Sequence, residues 1–350
     1  MKSYRLNAFG RPLEPHEQAT PHPDGDEVLL RVRAAGMCHS DLHIWEGGYD
    51  LGRGERLRVA DRGVSLPLVM GHETTGEVVA LGERAAGVEV GRQYLVYPWI
   101  GCGDCPVCVG GDENLCTAPR SLGIYRDGGY ADHLVVPHAR YLLPLDGLDP
   151  VSAAPLACSG LTTFSAIAKA GDVITREPIV IFGAGGLGLM SLHLLKALGG
   201  VGAVVVEIDE RKRAAAEAAG ALATVDGTAP DVAARIARAV GAPPRVAIDF
   251  VGSEGTAATA FACVPKGGTM IMVGLFGGAA PWSLPYIPLK AVTIRGSYVG
   301  NLTELAALLD LVRRARVPAI PITPVGLDDV NRMLGELRQG GIVGRAVLTG

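Results

Sequence analysis

This 350-residue chain lacks several features, and each absence removes a class of function. There is no block of like charge, and the formal net charge is only −4. Electrostatics therefore gives no footing for nucleic acid or for an anionic membrane surface. Apolar stretches are interrupted by Gly, Pro or a charged residue well short of a bilayer's thickness. The opening segment, MKSYRLNAFGRPLEP, has neither the apolar centre of a secretory signal nor transit-peptide character. A cytoplasmic chain with no membrane and no nucleic-acid partner is the expectation. Internal repeats and low-complexity tracts are also missing.

What is present is enough apolar sequence for a large core. Residues of the hydrophobic types make up 48% and charged ones 19%, which suits a folded chain of two domains or one large one. Arginine outnumbers lysine, a bias with no functional reading. Up to about residue 150, short β-branched runs alternate with Gly and Pro, as in 27–33, 76–82 and 93–97, and indicate an irregular, mainly β domain. Beyond 149–155 the rhythm changes. Strand-like runs at 179–182, 203–206, 246–250 and 269–273 alternate with Ala-rich helical ones at 187–198 and 211–219. That is the βαβ pattern of a doubly wound parallel sheet. The predicted organisation is α/β: a first part, 1–152, a Rossmann domain, 153–297, and a return to the first domain, 298–350. The return contains a helix over 328–337 and a last strand from Arg345.

The dinucleotide signal is Gly183, Gly185, Gly186, Leu187 and Gly188, in the pattern GxGxxG, after a strand and before a helix. Glycines there allow a tight turn and let backbone N–H groups meet a pyrophosphate at the helix N-terminus. Glu207 ends the next strand, where a carboxylate binds ribose hydroxyls and repels a 2′-phosphate, so NAD is favoured over NADP. A solvated strand-end glutamate is the alternative. Asp209 reads as a turn or cap residue.

Four of the seven cysteines crowd together as Cys102-x2-Cys105-x2-Cys108-x7-Cys116. Four thiolates can close a tetrahedral zinc site and leave no position for substrate. An iron–sulfur cluster or reactive thiols are the alternatives. Cys38, His72 and Cys158 are scattered. Taken singly, the two cysteines read as small buried thiols and His72 as a satisfied core histidine. Cys263 reads as a buried structural thiol, and His193 as a core or edge residue.

Taken together, Cys38-His39-Ser40-Asp41-Leu42-His43-Ile44-Trp45, Gly71-His72-Glu73, the four-cysteine segment, Cys158, the glycine turn and Gly344-Arg345-Ala346-Val347 resemble the zinc-containing alcohol dehydrogenases of the medium-chain dehydrogenase/reductase family, end to end. The likeness is greatest to the tetrameric yeast and bacterial branch, which has His at the place of His39 and Trp at that of Trp45. The resemblance implies a GroES-like catalytic domain beside the Rossmann domain, NAD(H), and two Zn2+ per subunit. Cys38, His72 and Cys158 would hold the catalytic zinc, with Glu73 able to approach it; Cys102, Cys105, Cys108 and Cys116 would hold the structural one. It also implies that Asp41 orients His72 and that Ser40 and His43 relay the proton. His39 and Arg345 would contact the pyrophosphate, Thr162 the nicotinamide, Lys212 the adenosine ribose, and Val273, Gly274 and Leu275 the carboxamide.

Trp45 and Trp99 are candidate walls for the substrate pocket, with Tyr97 as a weaker one. The segment 46–62, rich in Gly and mixed charge, is expected to be a lid, a subunit contact or a plain solvated loop. The implied partner is a small alcohol or carbonyl compound, and the implied assembly a homotetramer, with a dimer as the alternative. A polyol or amino-alcohol dehydrogenase on the same fold, or a relative that binds NAD and zinc without turnover, are the competing readings.

Overall fold

A computed structural model describes residues 1–280 and 282–350. Its first half is built on a mixed sheet in which the strand Val28–Met37 is central. On one side it pairs with Glu73–Leu81, and beyond that come Gln93–Val96 and Leu142–Pro144; on the other it pairs with Arg345–Thr349, flanked by Ile322–Gly326. His133–Val136 also pairs with Val28–Met37, and a smaller sheet joins Lys2–Leu6 to Glu14–Glu17 and Leu68–Val69. The expected strand at 27–33 thus runs on to Met37, so that it delivers Cys38 to the interior. The last strand crosses back to the first half of the chain, in antiparallel register Ala346↔Met37 and Thr349↔Ala34.

The second unit is a six-stranded parallel sheet. Its order in space is Ala223–Asp226, Ala203–Glu207, Ile179–Phe182, Val246–Asp249, Thr269–Met272, Thr293–Gly296. This is the doubly wound order that leaves a crevice at the C-terminal ends of its central strands. The uninterrupted apolar run Ile179-Val180-Ile181-Phe182 follows from burial on both faces. Ile179 and Ile181 enter the main core, whereas Val180 and Phe182 enter a second core on the opposite face.

Helix Gly186–Ala197 begins within the glycine turn, and Val330–Arg338 follows a short 3-10 turn, Leu327–Asp329. The segment 46–62 is more ordered than a solvated loop. Gly48–Gly52 and Glu55–Arg58 form a two-stranded hairpin, followed by the 3-10 turn Ala60–Arg62. Gly52, Arg53 and Gly54 all have positive φ and make the turn. Its strands lack an alternating apolar pattern, so periodicity gave no strand signal there. No single helix among the described residues is long and apolar enough to cross a membrane.

Candidate metal and dinucleotide sites

Two side-chain clusters have the geometry of a metal site. In the first, the donor atoms of Cys102, Cys105, Cys108 and Cys116 all lie within 4.8 Å of one another. Cys102 and Cys108 Sγ are 3.8 Å apart, and Cys105 and Cys116 Sγ 3.9 Å. Sulfurs about 2.3 Å from a shared zinc would form a tetrahedron with edges of about 3.8 Å, so the spacing fits. Backbone N–H groups of Cys102 and Ala118 point at Cys116 Sγ, each at 3.3 Å, and favour a thiolate. Burial and the neighbouring sulfurs push the Cys108 thiol up to about 12, a crowding that a cation relieves.

The second cluster is Cys38, His72, Glu73 and Cys158, all buried. Three separate elements bring it together. Cys38 is the N-cap of helix His39–Glu46, His72 immediately precedes and Glu73 opens the strand Glu73–Leu81, and Cys158 precedes helix Ser159–Lys169. Cys38 and Cys158 Sγ lie 3.9 Å apart. The Cys158 thiol, with help from the Arg345 cation and His72, holds Cys38 well below the usual thiol range despite burial, and Cys158 is pushed up in turn.

Asp41 has two tasks here. Its Oδ2 accepts from Cys38 N at 2.8 Å, closing the capping box, and its Oδ1 lies 3.3 Å from His72 Nδ1. Burial opposes charge on His72, but Asp41 and Cys38 outweigh it and raise the imidazole well above its usual range. His72 Nε2 is buried with no protein partner, as is Glu73 Oε2. Buried polar atoms are nearly always satisfied. Two sulfurs and an unpaired imidazole nitrogen make a three-donor zinc set with room for a fourth ligand, and the residues present fit that metal.

Glu73 and Arg345 form a buried ion pair, Nη2 to Oε1 3.2 Å, and Arg345 Nη1 donates to Met37 O at 3.3 Å. Burial raises the Glu73 carboxyl to about 8, with Arg345 acting against it. Gly36 makes room for this carboxylate: a β-carbon there would lie 2.1 Å from Glu73 Oε2.

The glycine turn explains itself in the same way. Gly183 has φ +93, and a β-carbon on Gly188 would lie 1.9 Å from Gly183 O, so only glycine allows this turn. Gly185 faces open space. Glu207 holds the turn from the next strand: Oε2 accepts from Ala184 N at 2.8 Å, and Oε1 from Ile208 N and Asp209 N at 2.8 and 3.0 Å. Asp209 caps helix Glu210–Ala218. Thr162 is buried, and its hydroxyl has no protein partner. Val273 is buried and Leu275 exposed, and Val273 and Gly274 N both donate to Asp249 O. Lys212 lies beside the Gly340 turn, and His39 is exposed at the start of its helix.

Ser40 and His43 are half-buried on the helix that Cys38 caps. Burial, with Arg56, lowers His43 below its usual range against the pull of Cys38 and Glu46. The two tryptophans part company. Trp99 packs on His72, ring centroids 5.3 Å apart, and donates to Ala157 O at 3.0 Å. Trp45 donates to Arg11 O and carries the Arg338 guanidinium over its ring at 5.5 Å. Tyr97 is fully buried and donates to Gly300 O. Cys263 is buried and donates to Ala260 O, and His193 contacts Pro318 O.

Two groups escaped the sequence reading. Asp249 is buried at a strand end and accepts from Val251 N, Gly252 N and Thr256 Oγ1, which fixes the loop beside the glycine turn. Tyr49 and Tyr298 pack on aromatic side chains outside the metal cluster, Tyr49 4.7 Å from His43 and Tyr298 6.2 Å from Trp99. A strand-end carboxylate followed by Gly could have flagged Asp249; nothing in spacing flags the tyrosines.

Comparison with known proteins agrees with this geometry. Residues 24–147 match the model of the alcohol dehydrogenase GroES-like domain, and 186–314 that of the zinc-binding dehydrogenases. The chain is 36% identical to an NAD-dependent alcohol dehydrogenase of Sulfurisphaera tokodaii over 99% of both chains. Among solved structures it resembles an alcohol dehydrogenase from Aeropyrum pernix (TM-score 0.90, 29% identity, 100% of each chain covered). It also resembles a D-arabinose dehydrogenase from Sulfolobus solfataricus (TM-score 0.84, 29% identity, 100% and 99% covered).

Proposed function

The chain belongs to the zinc-binding alcohol dehydrogenase family, and we propose that it transfers hydride reversibly between a primary or secondary alcohol and NAD, giving an aldehyde or ketone. The observation that carries this reading is the position of Arg345. Its guanidinium pairs with Glu73 in the metal cluster and lies against Gly186 of the dinucleotide turn, so the two sites share one wall.

Zinc held by Cys38, His72 and Cys158 would lower the pKa of an alcohol and polarise a carbonyl, and NAD on the glycine turn would accept the hydride. The chain's own residues do the rest. Asp41 faces His72 Nδ1 and so leaves Nε2 as the free donor. Ser40 and His43 are read as the two protein ends of the relay that carries the substrate proton to solvent; the lowered pKa of His43 keeps it neutral and able to accept near pH 7. Glu207, already fixed by three backbone N–H groups, presents its carboxylate to the ribose and disfavours a 2′-phosphate. The other assigned cofactor contacts, including Thr162, Lys212 and His39, are carried as part of this reading.

The catalytic unit is taken as 1–152 with 298–350, and the NAD unit as 153–297. The pairing of Arg345–Thr349 with Val28–Met37 supports that division. The hairpin of segment 46–62 is read as a strap over the cofactor. Gly278 N donates to Asp50 O at 3.2 Å, joining hairpin to nucleotide domain. Thiol ligands suit a reducing compartment, and we place the protein in the cytoplasm.

Assembly into a homotetramer, with a dimer as the alternative, is proposed, a two-fold contact making the dimeric unit. Thr293–Gly296 is the exposed edge of the parallel sheet, and Leu284, Tyr286 and Leu289 are exposed close by in sequence. Light scattering reads this directly: a monomer would end the proposal.

The function is tested by NAD reduction across primary, secondary, cyclic and aromatic alcohols, with Cys38→Ala as control. The variant is expected to lose turnover and half its zinc. Unchanged metal content would remove the ligand assignment. A polyol substrate is the second reading, favoured by the likeness to the D-arabinose dehydrogenase.

A further inference from the structure

Between its third and fourth cysteines the four-cysteine lobe carries Asp112, Glu113 and Asn114, and the side chain of each bonds to something other than the sulfurs. Glu113 is buried and fastens the lobe to the first domain. Its Oε2 accepts from Gly101 N at 3.1 Å and from the Tyr141 hydroxyl at 2.8 Å, and its Oε1 pairs with Arg140 at 2.8 Å. Asp112 and Asn114 reach a different part of the chain. Asn114 Nδ2 donates to Tyr298 O at 3.1 Å, and Asp112 Oδ1 accepts from Asn301 Nδ2 at 2.9 Å.

Residues 297–301 are the crossover between the domains. They leave the last strand of the parallel sheet, Thr293–Gly296, and enter helix Leu302–Ala315. At one end Ser297 N donates to Met272 O at 2.8 Å, on the strand that leads into Val273–Leu275. At the other, Asn301 Oδ1 caps the helix by accepting from Glu304 N at 2.9 Å. Between them Val299 is buried with φ +41, a strained conformation for a β-branched residue that persists only where the surroundings enforce it. Gly300 O accepts from the buried Tyr97 hydroxyl at 3.0 Å, and a β-carbon on Gly300 would lie 2.6 Å from Leu161 Cδ1. The bonds from Tyr97, Asp112 and Asn114 thus grip the crossover on both sides of the strained residue. All come from one stretch of chain, which also holds Trp99. Trp99 packs on His72, donates to Ala157 O beside Cys158, and meets the Tyr298 ring edge-on at 6.2 Å.

We propose that Asp112 and Asn114 are positioning residues for hydride transfer: they latch the four-cysteine lobe onto the crossover, and so set the ends of the nucleotide-domain strands against the His72–Trp99 side of the metal cluster. This rests on the alcohol dehydrogenase reading above. The lobe offers no position to substrate, yet through this latch it acts on the reaction. Transfer between two separately held reactants is steep in distance, and a misplacement of about 1 Å can cost about a hundredfold in rate.

Three variants of the full, zinc-loaded chain test the latch. Asn114→Asp keeps the shape of the side chain but cannot donate to Tyr298 O; Asp112→Ala removes the acceptor for Asn301; Asp112→Asn keeps an acceptor oxygen. Asn114→Asp and Asp112→Ala are each expected to slow single-turnover hydride transfer about fivefold, with NADH affinity and zinc content as in the native protein. Asp112→Asn should match the native rate. Amide exchange over 297–301 should quicken about tenfold in the two disrupting variants, while exchange over 102–116 stays native. Residues that only stabilised the lobe would do the reverse, loosening 102–116 and releasing zinc. That reverse pattern in both variants, or native exchange over 297–301, or a native rate of hydride transfer, overturns the latch and leaves the dehydrogenase reading intact. No turnover of any alcohol by the zinc-loaded native protein overturns both.

Discussion

Arg345 Nη2 lies 3.2 Å from Glu73 Oε1, and a β-carbon on Gly186 would stand 3.0 Å from the same guanidinium. One side chain from the last strand thus joins the carboxylate of the metal cluster to the start of the dinucleotide helix. Both partners of the pair are almost fully buried, where neither charge is screened by water and each depends on the other.

Arg345→Met is therefore expected to destabilise the protein by about 3 kcal/mol, because it leaves the Glu73 carboxyl, already raised by burial to about 8, without its buried cationic partner and removes the guanidinium packed between the two sites. The double variant with Glu73→Gln should recover most of that loss. Urea titration of the single and double variants measures the coupling; a single variant as stable as the native protein would refute it.

Glu207→Gly is expected to shift cofactor preference towards NADP by about tenfold, because the carboxylate that repels a 2′-phosphate is gone. The same carboxylate accepts from Ala184 N, Ile208 N and Asp209 N, so KM should rise for both cofactors as the turn loosens. Kinetics with each cofactor separate the two effects. A preference that does not move rules out Glu207 as the selector.

For alcohol oxidation His43 must be neutral to accept the proton. Burial places its pKa below the usual 6.5, so kcat/KM should be level above about pH 6.5 and fall as the ring is protonated in more acidic solution. His43→Gln should lower activity about tenfold and abolish that acid limb. An unaltered pH profile would assign the limb to another group.

Gly52 has φ +77, and a β-carbon there would lie 2.5 Å from Ala279 N. Gly52→Val should separate the hairpin from the nucleotide domain and raise KM for NAD several-fold, with zinc content intact. Stopped-flow NADH release should quicken; if both quantities match the native protein, the hairpin is no strap.

The fold and the chemistry were legible to different depths. The four-cysteine spacing, the glycine turn and the alternation of strands and helices lie within short windows, and local geometry alone gives them meaning. Cys38, His72 and Cys158 carry no mutual spacing, and resemblance alone linked them. Segment 46–62 was expected as a lid, a contact or a loop, because its polar strands have no apolar alternation; the turn at Gly52–Gly54 makes it a hairpin.

By itself the sequence determined the alternation of strands and helices, the glycine turn and the lobe of four thiols, since each is written within a short window of the chain; the order of strands in the sheet rests on long-range pairs such as Val180 with Ala247. Only the tertiary structure decided which scattered donors meet, because Cys38, His72 and Cys158 come together when the long central strand, its neighbour and a helix N-terminus pack at one point. It likewise decided that Trp99 stacks on His72 while Trp45 turns to Arg11 and Arg338. The direction of a side chain depends on the pose of its element, which no pattern within one segment contains.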